Sequence, residues 1–213
     1  MSSIVTLESS ASSFEATIVG ANLEVVGLQG EENIIEAQGD SPITIVGGAL
    51  QDTITAVGKG DATLLGGDGN DVLIGDLGDD VLIGGEGNDE IMGGAGADLI
   101  LGGAGKDILK SGMAGMDSDG NPMGDTLRGG MGEDVFEFMA DEFESGAVDE
   151  IIDFKADDVA DVIKIMGVSD DSSVSYDADT GLVSIDGDSV IDIGMDMDLT
   201  VSKNEDNDTW ELF

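Results

Sequence analysis

The sequence predicts an all-β solenoid, a stack of short strands closed by a small C-terminal antiparallel β cap. Three observations carry this expectation. Residues 66–110 read in nines as GGDGNDVLI, GDLGDDVLI, GGEGNDEIM, GGAGADLIL and GGAGKDILK, five units without an insertion. The eighth position is always aliphatic, in Leu73, Leu82, Ile91, Ile100 and Leu109. A short strand alternates its side chains, so the eighth residue points inward while the seventh and ninth point outward. Beyond residue 138, the runs VSYD, LVSID, VIDI and LTVS are strand-like, with turn signals at Asp179-Thr180-Gly181 and Asp186-Gly187.

The rule is Gly-Gly-x-Gly-x-Asp-x-apolar-x, and its sixth position is Asp71, Asp80, Asp89, Asp98 and Asp107. Only Asp76, in place of the second glycine of one unit, departs from it. In fixed register over consecutive units, this resembles the RTX nonapeptide of calcium-binding parallel β-rolls. The resemblance implies a right-handed parallel β-roll in which each unit contributes a turn and a short strand, and two units make one coil. It also implies the ion sites, each between a turn and the turn two units later. One ion then lies among Gly67, Gly69, Asp71, Gly84, Glu86 and Asp89. A second falls among Asp76, Gly78, Asp80, Gly93, Ala95 and Asp98, and a third joins Gly85, Gly87, Asp89, Gly102, Ala104 and Asp107. Asp76 contributes only a backbone carbonyl there, so its departure bears on turn geometry rather than on ligand count.

Electrostatics leads to a cation independently. Stacked coils lie about 4.8 Å apart, so Asp71, Asp89 and Asp107 form a ladder on one edge, and Asp80 and Asp98 another. Two unit charges at that spacing repel by roughly 3 kcal/mol at an effective dielectric near 20. One aliphatic side chain per unit contributes about 1.5 to 3 kcal/mol, which several such repulsions exceed. A hard divalent cation with six or more oxygen ligands resolves the conflict, and that is the preference of calcium. Magnesium resists losing its waters, and zinc calls for His or Cys. Several Ca²⁺ ions are expected, roughly three to six.

Taken in order, residues 1–17 form a lead-in with no basic or long apolar run, which predicts neither a Sec signal nor a membrane anchor. Residues 18–65 predict degenerate coils with Val25, Ile34, Ile43, Ile54 and Leu64 at the inward position. Glu32 stands there for the usual aspartate, and Asp61 falls one place early. Asp52 keeps its place and, with Gly48, Gly66, Asp68 and Asp71, makes a partial ion site beside Leu50, where glycine is favoured. Residues 66–138 predict the calcium-binding roll, with SGMAGMDSD and its neighbours looping out near 111–124. Its last unit, GGMGEDVFE, restores the motif with Asp134, and Phe136 and Phe138 read as an aromatic closure. Residues 139–213 predict the cap. DEIIDF (149–154) and DVIKI (161–165) resemble the segments that succeed RTX rolls. The terminal DTWELF resembles the uncleaved signal of type I secretion, and Trp210 also suits a last cap strand. Outward residues Thr63, Leu65, Val81, Ile83, Leu99 and Leu101 form an apolar face, to be covered by the C-terminal segment or by another copy.

Composition narrows the function. Seven Lys and Arg against 47 Asp and Glu give a net charge of -40, which argues against nucleic acid and anionic membranes as partners. The chain has no His and no Cys, so zincin sites, Ser-His-Asp triads and Cys-His dyads are excluded. The expectation is therefore a calcium-binding structural or surface protein rather than an enzyme, extracellular or on a cell surface and possessing the capacity to self-associate. A virion decoration component and a glycan-binding module that uses Trp210 and Tyr176 as stacking platforms are the alternatives.

Overall fold

The structure, a computed structural model, describes residues 3–6, 13–19, 23–116, 118–154, 160–169, 172–194, 199–204 and 209–213. Successive strands alternate between two sheets that enclose one core. The first sheet stacks Ser3–Thr6, Leu23–Val26, Ile43–Gly48, Ala62–Asp68, Val81–Glu86, Leu99–Ala104, Thr126–Met131 and Asp149–Ile151. The second stacks Ser13–Val19, Glu32–Gln38, Thr53–Val57, Val72–Leu77, Glu90–Gly96, Ile108–Met116, Val135–Met139 and Val162–Met166. Every pairing in these two stacks is parallel. The architecture is all-β, a parallel β-roll.

Register follows the nine-residue pattern. Leu73 lies beside Ile91 and Ile91 beside Leu109 in one sheet, and Leu64, Leu82 and Ile100 align in the other. All of these are fully buried, as are Val25 and Ile54; Ile43 is buried too, but it aligns with Ala62, and Ile45 stands in the file between Val25 and Leu64. The strands extend into the turns, whose opening positions also join the parallel ladder, Gly67 opposite Gly85 and Asp68 opposite Glu86.

Ile34 is the exception among the inward positions, at 47 % exposure, with Ile35 buried in its place. The preceding turn, Gly27 to Asn33, holds one residue more than the regular turn Gly66 to Asp71. Gly27 donates to Val46 O as a turn-opening glycine, and Ile35 aligns with Ile54, so the extra residue shifts every later side chain to the opposite face.

The predicted loop at 111–124 also needs correction. Ser111 to Ala114 stay in the sheet, with Gly112 opposite Gly94 and Ala114 opposite Gly96. The excursion begins afterwards, as Gly115 and Met116 pair antiparallel with Met123 and Pro122. It is an insertion within one turn, and Leu127 still lands beside Ile100.

Nor do Phe136 and Phe138 close the roll. Both are fully buried, Phe136 packs edge-on against Phe154 at 6.1 Å, and the parallel ladder continues to Val162–Met166. Apart from the short Pro122–Met123 pairing, antiparallel strands come only after that. Asp188–Asp192 joins Asp149–Ile151 in parallel and carries Leu182–Ile185 and Val174–Asp177 antiparallel beside it. Thr209–Leu212 and Val201–Asn204 extend the other sheet. The described C-terminal strands thus prolong the two sheets edge to edge, and among the described residues they do not lie across the face of Thr63, Val81 and Leu99. Of the terminal DTWELF, Asp208 lies outside the described residues, while Leu212 is buried and Trp210 packs against the core.

Candidate metal centre

The turns hold the aspartates in two continuous rows. In the first, each backbone N–H donates to Oδ1 of the residue one coil later: Asn33 to Asp52 (2.7 Å), Asp52 to Asp71 (2.7 Å), Asp71 to Asp89 (2.8 Å), Asp89 to Asp107 (2.8 Å), Asp107 to Asp134 (2.9 Å) and Asp134 to Asp161 (3.0 Å). The second row begins at Ala62, which donates to Asp80 at 2.6 Å, and continues through Asp98, Asp125 and Asp149 at 2.7 to 2.8 Å. One carboxylate oxygen of each aspartate therefore serves the stacking of the coils.

The other oxygen is left over. Oδ2 of Asp52, Asp71, Asp80, Asp89, Asp98 and Asp107 is buried without a hydrogen-bond partner. It lies in the hollow that the turn-opening glycine leaves. A Cβ on Gly66 would come within 3.0 Å of both Asp71 Oδ2 and the carbonyl oxygen of Gly84 in the next coil. The same holds at Gly75 for Asp80 and Gly93, at Gly84 for Asp89 and Gly102, and at Gly47 for Asp52 and Gly66. Two acceptors thus face one hollow with no donor between them, an arrangement that costs free energy unless a cation or a proton enters.

The titration of these groups reflects that cost. Burial first, and like charges along the rows after it, pushes Asp71 and Asp107 up to about 7 and Asp80 up to about 8. Asp98 and Asp149 rise to about 6, with burial again the first cause. Asp52 and Asp89 are raised as well by burial.

The expected ligand sets are partly assembled. The hollows join Asp71 with Gly84, Asp80 with Gly93, and Asp89 with Gly102. Gly67, Gly69, Gly78, Gly85 and Gly87 all have φ between 116 and 134°, which turns their peptides as only glycine readily allows. Asp76 also has positive φ, at 74°, and its Oδ2 accepts the Gly58 N–H at 3.0 Å. The carbonyls of Glu86, Ala95 and Ala104 accept N–H groups from Gly69, Gly78 and Gly87 at 2.7 to 2.9 Å, keeping one lone pair each. Among the described residues no three acidic side chains converge on one point, so carbonyl oxygens have to supply much of any ion's shell.

Asp134 stands in the first row as expected, but the rows also take in Asn33, Asp125, Asp149 and Asp161. The last three were legible, each followed two residues later by a buried aliphatic residue, Leu127, Ile151 and Ile163. Glu32, expected at the aspartate position, is exposed, and Asn33 occupies the row instead.

Parallel coils whose glycine turns bury carboxylate oxygens without a hydrogen-bond partner define a calcium-type metal-binding roll. Residues 57–91 and 83–113 match the model of the RTX calcium-binding nonapeptide repeat, in four copies. The chain carries RTX calcium-binding repeats, and arrays of such repeats bind several Ca²⁺ ions. No curated protein and no solved structure matches the chain.

Proposed function

We propose that this is an extracellular calcium-binding structural or surface protein whose roll folds as it binds calcium and which then self-assembles. The observation that carries the reading is the pair of rows of buried carboxylate oxygens, each facing a carbonyl, in a chain with a net charge of -40. Folding without cations sets these charges against one another. Folding with them converts the same atoms into ligands, so binding free energy becomes folding free energy. Millimolar calcium outside the cell saturates sites of the extracellular class, and export through a type I route, unfolded where calcium is scarce, suits a roll that folds as it binds the ion. No helix of the described residues is long and apolar enough to cross a membrane.

The assembly part of the reading is supported by a trough of about 520 Å³ on the outside of the second sheet, lined by Ile74, Leu77, Met92, Met113, Met139 and Met166. Leu77 is 37 % and Met113 61 % exposed, at the turn position that Asp68 and Glu86 hold in other coils. Burying such side chains against a second copy is favourable once calcium has lowered the charge repulsion between copies. The glycan alternative gains nothing comparable, since Tyr176 and Trp210 pack against the core and the Tyr176 hydroxyl donates to Gly194 O.

The test is far-UV circular dichroism with light scattering while calcium is titrated into chelated protein, with magnesium as control. A cooperative gain of β signal with calcium alone, accompanied by a rise in mass, is expected. A chain already fully folded in chelator and indifferent to calcium overturns the reading, and calcium-dependent folding at constant mass removes its assembly part.

A further inference from the structure

We propose that the side-chain amide of Asn33 stands permanently where an ion enters the other turns of its row, so that the coil built on this turn forms without calcium. Asn33 is buried at 1 % exposure and opens the row that continues through Asp52 and Asp71. Its Nδ2 donates one N–H to Asp52 Oδ1 at 2.7 Å, and the other is shared between Glu31 O at 3.1 Å and Leu28 O at 3.2 Å. Those acceptors are two carbonyls of its own turn and the carboxylate of the next coil, the same kinds of oxygen that surround a cation in this architecture. Its Oδ1 meanwhile accepts the Leu28 N–H at 2.8 Å, which closes the turn on itself.

The hollow is also the same one. A Cβ on Gly27 would come within 3.0 Å of Gly47 O, with Asn33 Nδ2 at 3.0 Å, just as one on Gly66 would meet Gly84 O and Asp71 Oδ2. In every aspartate turn from Asp52 to Asp107 the atom at this point is an unpartnered acceptor, whereas at Asn33 it is a donor with its acceptors in place. The exchange of one oxygen for an NH₂ group reverses the polarity of the hollow. A neutral donor then satisfies Leu28 O, Glu31 O and the Asp52 carboxylate in place of a charge, and a cation is excluded by the hydrogens pointing at them.

The consequence is an order of assembly. The coil of Glu32–Gln38 and Ile43–Gly48 offers a preformed edge, and the calcium-dependent coils add to it one after another as ions enter. This inference rests on the reading that the turns downstream take calcium.

Amide hydrogen exchange on the whole chain in chelator tests it directly. Residues 32–48 are expected to exchange at least about tenfold more slowly than residues 72–109, and the difference should vanish when calcium is added. Equal exchange of the two segments in chelator overturns the inference. In Asn33→Asp the early protection should be lost in chelator and restored by calcium, with about one further ion bound per chain by equilibrium dialysis. Unchanged protection and the wild-type ion number in that variant also overturn it. Wild-type protein that binds no calcium at all sinks the calcium reading itself, and is distinguished from failure of the inference by that ion number.

Discussion

The two oxygens of each row aspartate do different work, and single substitutions separate them. Asp89 accepts the Asp71 N–H through Oδ1 and leaves Oδ2 facing Gly102 O. Asp89→Asn retains the first role and removes the charge. The chelated variant should be more stable than the wild type, while the calcium midpoint rises by about tenfold or more, read by circular dichroism against free calcium. Asp89→Ala, which loses both roles, should be destabilised with and without calcium. The raised carboxyls also set a pH dependence with a definite sign. Between the ordinary value of 3.8 and their folded values of about 6 to 8, the native chain binds more protons than the unfolded one. Without calcium, stability is therefore fullest below pH 3.8 as far as these groups are concerned, and is lost as pH rises through about 8. Melting temperatures in chelator should fall steadily from pH 4 to pH 8, roughly the span of those pKa values, and saturating calcium should abolish the fall.

At the scale of the element, each turn is shaped by what the coil before it leaves room for. Gly85 has φ 124°, and a Cβ on it would come within 3.0 Å of the Gly67 carbonyl oxygen and carbon. Gly85→Ala should cost about 2 kcal/mol or more, seen as a lower melting temperature in saturating calcium. The long turn after Lys110 offers the opposite test. Ser111, Gly112 and Met113 occupy the opening positions of a unit whose row aspartate is Asp125, with the inserted residues between them. Removing Ala114 and the stretch from Met116 to Met123 leaves SGMGGDTLR, a regular unit. That deletion should leave the calcium midpoint within about twofold. The nine-residue pattern exposed the eighth-position core and the aspartates of residues 66–110 without ambiguity, because consecutive units have equal length there. It misplaced Ile34 and split the long turn wrongly, because a strict count cannot detect where within a turn an extra residue sits.

For the whole molecule, net charge and core size oppose each other. A charge of -40 on a chain of 213 residues favours expansion, and the two files of buried aliphatic residues resist it only when the rows are neutralised. Small-angle scattering at neutral pH should show the radius of gyration falling by about a factor of two on adding calcium, with magnesium producing much less. Because each coil touches only its neighbours, the change should spread along the stack instead of occurring at isolated sites.

The sequence by itself determined the repeating strand, the inward aliphatic residue, the paired rows of aspartate and the demand for a hard cation. Each follows from spacing within a few consecutive units and from the chemistry of carboxylates. Only the tertiary structure decided that Asn33 heads the first row, that Phe136 and Phe138 do not end the roll, and that Asp71 gives one oxygen to stacking and one to the hollow. These depend on partners 18 to 27 residues away, brought together by coil closure across turns of unequal length. Sequence periodicity records the average turn, and contacts between coils depend on each particular one.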